Sequence, residues 1–375
     1  MKEQGRAWRA AGGSAASALR SAPTASDPAR DRATHPRSAS GPVYGALDLG
    51  TNNCRLLVAR PHAGGGLDVI DAFSRIVRLG EGLGQTGGLS ASAIDRTIAA
   101  LKICAAKLRR HHPCTARVVA TEACRRASNG EAFLDRVTRE TGLTIEVIDP
   151  GEEALLAVAG CAALLDRGRR QAIMFDIGGG STELMWLDVP SPAADARPAP
   201  IGLRAWISVP AGVVSLSERF GAAGGTRDGY AAMRDSVATL LSGFDAMHGI
   251  AAAVATGGVQ MVGSSGTVTT LAGIHLGLPR YDRARVDGVA VGYDEMRAVS
   301  RRIVEMDVAG RLAHPCIGRS RADLVVAGCA ILDAILDAWP VDRIRIADRG
   351  VREGILLGLM GVPAPIHLPA VATRQ

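Results

Sequence analysis

Two short segments of the chain carry the same arrangement of residues that could do chemistry. In each, an apolar run ends in Asp-x-Gly, a polar turn follows, and a second apolar run leads away. The first segment contains Asp48 and the second contains Asp176, and Arg55 and Glu183 each follow their aspartate by seven residues. Either turn alone could simply shape a hairpin. Two turns in matching register instead predict a duplicated fold with both turns facing one cleft.

The composition of the turns favours phosphate binding. Glycines allow positive φ and close approach of the backbone to a ligand, and successive N–H groups in such a turn form an anion site. Hydroxyl and amide side chains add further donors. The predicted phosphate-binding residues are Thr51, Asn52 and Asn53 in the first turn and Gly178, Gly179, Gly180, Ser181 and Thr182 in the second.

The carboxylates beside these turns predict a metal ion. A carboxylate and a phosphate repel each other unless a cation lies between them. Mg²⁺ prefers one or two carboxylates together with phosphate oxygens and waters. We therefore predict that Asp48, Asp176 and Glu183 bind Mg²⁺, with Mn²⁺ as an alternative.

The composition excludes several other classes of protein. A hydrophobic content of 47% with 21% charged residues is typical of a globular protein with a large core. No apolar run reaches the ~18–20 residues that span a bilayer, so no membrane contact is expected. The aromatic content of 3% argues against a stable nucleic-acid partner bound by base stacking. Seven scattered cysteines without CxxC spacing indicate a reducing, cytoplasmic location and no zinc site.

The basic character is concentrated at the start of the chain. The net charge is +6, and residues 1–42 carry seven Lys/Arg against three acids. This Ala/Ser/Pro/Arg-rich segment predicts a disordered basic tail. It could equally be a transit peptide or an over-extended start.

The elements that must position the two turns alternate between strand and helix in both halves of the sequence. This order predicts an α/β fold with one domain over residues 43–150 and a second over 151–349. A final helix over about 350–363 packs back on the first domain, and residues 364–375 form a tail. Ser90 is expected to cap a helix, and another helix is expected to begin at Glu152.

Several motifs together resemble the exopolyphosphatase / guanosine pentaphosphate phosphatase family, within the actin-like ATPase-domain superfamily. The motifs are Asp48-x-Gly-Thr-Asn, Ala120-Thr-x-Ala-x-Arg125, Gly151-Glu-Glu-Ala154, Asp176-Ile-Gly-Gly-Gly-Ser-Thr-Glu183, Gly263-Ser-Ser-Gly-Thr267, Arg321-Ala-Asp323 and Asp348-Arg-Gly-Val-Arg-Glu-Gly354. The resemblance implies duplicated actin-like (RNase H-like) α/β domains with an interdomain cleft. It also implies Mg²⁺-dependent release of the terminal phosphate of polyphosphate or the 5′-γ-phosphate of guanosine pentaphosphate. The chain would be a short form without a C-terminal HD-type domain, and a homodimer.

The resemblance also suggests roles for individual residues. Glu152 is expected to be the general base that deprotonates water, while Glu153 is expected to be structural. Arg125 is expected to bind a phosphate through its planar guanidinium. Gly266 and Thr267, at the start of a helix, are expected either to hold an anion or simply to end a strand. Glu122 departs from the family pattern, in which Ser or Asn is common, as does the Asn53-Cys54 pair.

Basic residues late in the sequence suggest a track for a long polyanion. They are Arg319, Arg321, Arg343, Arg345, Arg349 and Arg352. Polyphosphate and guanosine pentaphosphate remain equal candidates as substrates at this point. The alternatives from other classes are an actin-like phosphotransferase, such as a sugar or acetate kinase, and a non-catalytic polyphosphate or nucleotide sensor.

Overall fold

The structure is a computed structural model that describes residues 41–63, 66–191, 199–362 and 366–367. The predicted tail over residues 1–42 lies outside the described residues except at residues 41 and 42. The tail predicted over residues 364–375 also lies outside the described residues, except at residues 366 and 367.

The first half of the described chain contains five strands and five helices. The strands are β1 (Tyr44–Leu49), β2 (Asn53–Pro61), β3 (Leu67–Ile76), β4 (Thr115–Ala120) and β5 (Glu146–Val147). The helices are α1 (Leu83–Thr86), α2 (Ala91–His111), α3 (Glu122–Arg126), α4 (Gly130–Thr141) and α5 (Pro150–Cys161).

The second half of the described chain contains the remaining elements. The strands are β6 (Gln171–Ile177), β7 (Thr182–Asp188), β8 (Ile201–Val209), β9 (Val259–Ser264), β10 (Ala290–Gly292), β11 (Arg343–Ala347) and β12 (Ile366–His367). The helices are α6 (Val213–Phe220), α7 (Arg227–His248), α8 (Ile250–Ala255), α9 (Gly266–His275), α10 (Arg283–Val286), α11 (Tyr293–Glu305), α12 (Val308–Ala313), α13 (Val325–Ala338) and α14 (Val351–Leu359).

Two sheets repeat one strand order. The first sheet has the order β3-β2-β1-β4-β5, and the second has the order β10-β11-β9-β6-β7-β8-β12. Read from β8 to β11, the second sheet reproduces the first, with three antiparallel strands followed by parallel neighbours. Asp48 pairs across its hairpin with Arg55, and Asp176 pairs with Glu183. The predicted duplicated α/β class is confirmed.

The central strand β6 is apolar from Ala172 to Phe175 because both faces of its sheet are covered. Ile173 and Phe175 belong to the core on one face, whereas Ala172 and Met174 belong to the core on the other. All four are almost completely buried. Side chains alternate along a strand, so an uninterrupted apolar run is what a doubly covered strand requires.

Capping residues fix where two helices begin. The hydroxyl of Ser90 accepts a hydrogen bond from the N–H of Ala93 at 3.2 Å, which confirms the predicted cap of α2. Asp149 accepts from the N–H of Glu152 at 2.9 Å, and Pro150 opens α5 two residues before the predicted start. Proline suits this position because its missing N–H would have no helical partner.

The strand that precedes α5 is short, since only Glu146 and Val147 form β5. The short helix α3, directly after β4, was not predicted. It contains Glu122 and Arg125, so it determines where both side chains lie.

No helix within the described residues is both long and apolar enough to cross a bilayer. All seven cysteines are free thiols, and six of them are buried. Their burial agrees with the expectation that most act as small apolar residues.

Helices α5 and α14 cross in backbone contact. A Cβ atom at Gly160 would lie 2.0 Å from the carbonyl oxygen of Gly350, and one at Gly354 would lie 2.1 Å from that of Leu156. Neither backbone atom can move away as a flexible side chain would. Glycine is therefore required at both positions by the crossing itself.

We expect Gly354→Ala to lower the free energy of unfolding by about 1–3 kcal/mol or more, because the added methyl group overlaps the backbone of α5. Gly358→Ala in the same helix is the matched control, since nothing lies within 4 Å of its Cβ position. That change should be neutral or stabilise by up to about 1 kcal/mol, because alanine favours a helix over glycine. Urea denaturation measures both, and equal effects of the two changes would contradict this account of the crossing.

Candidate active site

The two Asp-x-Gly turns have the same backbone hydrogen bond and lie against each other. The N–H of Gly50 donates to the carbonyl of Asn53, and the N–H of Gly178 donates to that of Ser181, both at 2.9 Å. A Cβ atom at Gly179 would lie 3.0 Å from the backbone nitrogen of Asn52. The second turn therefore needs glycine for close approach to the first turn.

The positive φ angles expected at the glycines of the two turns are not observed. None of Gly50, Gly178, Gly179 and Gly180 has a backbone conformation in the left-handed region. In the second turn the absence of a side chain is what matters, because a Cβ atom at Gly178, Gly179 or Gly180 would lie 3.0 Å or less from a neighbouring atom.

A cleft of about 920 Å³ opens where the two turns meet. Most of the residues predicted from the sequence line it, namely Asp48, Thr51, Asn52, Asn53, Asp176, Gly178, Gly179, Gly180, Ser181, Glu183, Gly266 and Thr267. Three predicted residues are not part of its lining, namely Glu152, Arg125 and Thr182. The hydroxyl of Thr182 donates to the carbonyl of Ala211 at 2.6 Å, so it is used inside the protein.

The structure places Glu153 in the cleft and Glu152 outside it, which is the reverse of the prediction. Arg117 donates to Glu152 at 2.5 Å, and the side chain of Glu152 is 36% exposed. The side chain of Glu153 is only 15% exposed and lines the cleft. Successive residues of a helix point about 100° apart, so only one of the two carboxylates can face the cleft.

Burial makes Glu153 a carboxylate of unusual basicity. Its pKa is raised well above the usual range by burial first and then by the negative charge of Glu183, while Arg125 opposes the rise. Nη1 of Arg125 donates to Glu153 at 3.1 Å and to the carbonyl of Ile148 at 2.7 Å. Arg125 therefore orients this carboxylate and does not reach the phosphate site assigned to it from the sequence.

The three predicted metal ligands place largely buried carboxylates in the cleft, and Glu183 is only 3% exposed. Burial raises the pKa of Asp48 to about 6, with Arg55 opposing and Asp176 adding to the rise. Burial likewise raises the pKa of Asp176, and it raises that of Glu183 to about 7. Glu183 accepts hydrogen bonds from the hydroxyls of Ser181 at 2.6 Å and Ser208 at 2.8 Å.

This set of oxygen donors suits a hard cation such as Mg²⁺. Within the described ranges, no three Asp, Glu, His or Cys side chains converge closely enough to hold an ion together. Mg²⁺ does not need three, because it commonly keeps several waters and takes one or two carboxylates. Asp48, Asp176 and Glu183 would hold it partly through waters, and the metal stays a prediction.

Two arginines lie in the cleft wall, of which Arg55 had no predicted role and Arg321 was predicted only as part of the polyanion track. The backbone of Arg55 is part of the first sheet, whereas its side chain lines the cleft and makes no hydrogen bond or ion pair with any described residue. Arg321 lines the cleft and donates to the carbonyl of Gly266 at 3.3 Å and to the hydroxyl of Thr270 at 2.9 Å. A guanidinium without a carboxylate partner in the wall of a cleft is well placed to bind an anion. The spacing of Arg55 from Asp48 was the available signal.

The late basic residues do not form one polyanion track. Arg321 lines the cleft, but Arg349 pairs with Asp287 and Arg343 pairs with Asp342. Arg352 is buried against Glu353, and Arg345 donates to the carbonyl of Gly288. Their charges are therefore mostly used within the protein, which does not support the track suggested by the sequence.

The turn before α9 also faces the cleft. Ser265 has a φ of 84°, which is uncommon for a residue other than glycine, and its hydroxyl donates to the carbonyl of Ile177. Such backbone strain tends to occur at functional sites. Here it brings Gly266 and Thr267 into the cleft wall, opposite the first turn.

Comparison with known proteins places the chain in a family. A sequence model of the Ppx/GppA phosphatase family matches residues 57–362. The chain belongs to this family. The earlier resemblance is thereby confirmed, and the Ppx/GppA chain is a phosphoanhydride hydrolase.

Relatives of the Ppx/GppA chain match it over nearly their full length. Exopolyphosphatase 2 of Mycobacterium tuberculosis is 30% identical over 332 residues, which cover 84% of this chain and 98% of the relative. The crystal structure of the Aquifex aeolicus family member is 30% identical, with a TM-score of 0.66, covering 85% of this chain and 97% of that one. An exopolyphosphatase-like protein of known structure is 27% identical, with a TM-score of 0.75, and the match covers 85% of this chain and 99% of that one.

Proposed function

We propose that this chain is an exopolyphosphatase that releases the terminal phosphate of inorganic polyphosphate. The observation that carries the proposal is the largely buried carboxylate of Glu153 in a cleft that is also lined by the two predicted phosphate-binding turns. The name of the Mycobacterium tuberculosis relative supports polyphosphate over guanosine pentaphosphate as the substrate.

The residues divide the work of the reaction as follows. The backbone of the two turns and the guanidinium groups of Arg55 and Arg321 bind the terminal phosphoryl group. Glu153 accepts a proton from a water molecule as the water oxygen forms a bond to phosphorus. The bond between that phosphorus and the bridging oxygen breaks, and the shortened chain leaves with the bridging oxygen. Positioning and charge neutralisation dominate catalysis of this kind.

A divalent cation completes the charge balance of the proposed site. Asp48, Asp176 and Glu183 would hold Mg²⁺ or Mn²⁺, which when bound neutralises charge on the phosphoryl oxygens. Ser181 and Ser208 orient Glu183 for this purpose. Without a cation, these buried carboxylates would oppose binding of a polyanion.

A panel of substrates tests the proposal. Orthophosphate release is measured with long-chain polyphosphate, tripolyphosphate, guanosine pentaphosphate and ATP, each with and without Mg²⁺. We expect polyphosphate to be the best substrate. Preference for guanosine pentaphosphate would reassign the substrate, and turnover of ATP only with a sugar or acetate acceptor would indicate a phosphotransferase. A homodimer and a cytoplasmic location are also proposals, tested by light scattering and by cell fractionation.

Arg321 should matter most among the late arginines. We expect Arg321→Ala to raise the KM for polyphosphate about 10- to 100-fold, because a charge-assisted contact to phosphate is lost. The affinity of this variant for polyphosphate should also depend less steeply on salt concentration, since fewer counterions are released on binding. Arg343→Ala is the matched control, because Arg343 is 67% exposed, pairs with Asp342 and does not line the cleft. Equal losses in both variants would mean that diffuse charge governs binding.

A further inference from the structure

Glu122 is a buried carboxylate with one oxygen unused. It is the first residue of α3 and is 8% exposed. Its Oε1 accepts a hydrogen bond from Nη1 of Arg126 at 3.0 Å, whereas its Oε2 is buried without a hydrogen-bond partner among the described residues. Leaving a charged acceptor buried and unpaired is costly, so this oxygen is expected to have a partner that the protein itself does not supply.

The carboxylate lies against both phosphate-binding turns. A Cβ atom at Gly180 would be 1.8 Å from Oε2 of Glu122 and 2.9 Å from Oγ1 of Thr51. Glu122 lines the main cleft and also a neighbouring cavity of about 870 Å³ that contains Arg126. A phosphate held by the two turns would therefore lie beside this oxygen.

A carboxylate can only accept a hydrogen bond, so its partner must carry a proton or be a cation. A terminal phosphate can carry that proton, because its second ionisation has a pKa of about 6. Phosphates inside a chain have no comparable proton near neutral pH, and neither does sulfate.

We propose that Glu122 accepts a hydrogen bond from the protonated oxygen of a terminal phosphoryl group, or of released orthophosphate. Glu122 is then a specificity-determining residue that selects chain ends over inner phosphates and phosphate over sulfate. This inference rests on the proposed function to the extent that the cleft holds a phosphate.

Two neighbouring amides do not decide between an anion and a cation at this position. Oδ1 of Asn52 and Oδ1 of Asn53 are also buried without partners. Either amide can rotate and present its nitrogen to a phosphate, because oxygen and nitrogen are assigned from the hydrogen-bond network. The carboxylate of Glu122 has no donor end to rotate into place, so the nature of its partner does indicate what binds at this position.

Anion binding tests the proposal without any turnover. Isothermal titration of the full chain with inorganic phosphate and with sulfate gives the ratio of the two affinities. We expect phosphate to bind at least about tenfold more tightly than sulfate to the wild type, as one hydrogen bond to a charged group allows. In Glu122→Gln the ratio should fall close to one, because the amide N–H can donate to sulfate. Glu122→Ser, which removes the carboxylate, should lose the discrimination as well.

Glu218→Gln is the matched control. Glu218 lines the neighbouring cavity but not the main cleft, and it accepts a hydrogen bond from the N–H of Gly82 at 2.8 Å. This variant should keep the phosphate preference of the wild type.

Three results would overturn the proposal. They are equal binding of phosphate and sulfate to the wild type, an unchanged ratio in both Glu122 variants, and Glu122-dependent binding of Mg²⁺ or K⁺ in the absence of any phosphate. The substrate panel tests the proposed function independently of this inference about Glu122. A chain that discriminates phosphate from sulfate through Glu122 but hydrolyses no phosphoanhydride would refute the proposed function and leave this inference standing.

Discussion

Glu153→Gln should reduce phosphate release from polyphosphate by about 10²–10⁴-fold, the usual contribution of a general base. The amide keeps the size of the side chain and loses the basicity. Substrate binding should change little, since Arg55, Arg321 and the two turns remain. Burial raises the pKa of Glu153 above its usual range, which makes this carboxylate a stronger base than an exposed one. Single-turnover phosphate release and separate titration of a polyphosphate distinguish the two effects.

Glu152→Gln is the control for this prediction, one residue away in the same helix turn. It removes an equal charge but affects only the partly exposed pair with Arg117. Exposed ion pairs contribute at most about 1 kcal/mol to stability, so activity should stay within a fewfold of the wild type. If Glu152→Gln were the inactive variant, the assignment from the structure would be wrong and the one from the sequence right.

Removal of divalent cations should have an effect of similar size. We expect EDTA to lower the rate of phosphate release by on the order of 10³-fold, and Mg²⁺ to restore it. The reason is that the cation stabilises the charge of the transition state by several kcal/mol. Glu183→Gln should raise the Mg²⁺ concentration needed for half-maximal rate by about 10- to 100-fold, as expected when a group that orients a metal site is lost. Rates measured over a Mg²⁺ titration check both effects.

Asp188→Asn is the control for the metal prediction. Asp188 ends the same strand β7, is 51% exposed and pairs with Arg204, away from the cleft. Its replacement should leave the Mg²⁺ requirement unchanged. Turnover in the wild type that is insensitive to EDTA would refute the metal site, and with it the reason for placing acids beside a phosphate.

The sequence was most informative where local pattern and duplication agree. The spacing of Asp48 from Arg55 and of Asp176 from Glu183 is the spacing of two hairpins with equal registers, which the structure contains. Strand pairing depends on the apolar pattern and the turn, both local in sequence. The two facing turns could therefore be predicted together with the residues that form them.

The direction in which individual side chains point could not be predicted from the sequence in the same way. The adjacent residues Glu152 and Glu153 are chemically identical, and which of them faces the cleft depends on how α5 packs against the rest of the protein. Arg349, for example, pairs with Asp287, which lies 62 residues away in the sequence. Such contacts depend on tertiary packing, which composition and spacing do not specify.

The close crossing of α5 and α14 has a consequence for synthesis of the chain. Val351, Ile355 and Leu356 of α14 share one core with Ala46 and Leu57 of the first sheet. That face of the first sheet is therefore completed by a helix that is translated long after the strands of the sheet. The first half cannot finish its core on the ribosome until residues 351–359 have emerged, so folding of the two halves is concluded together.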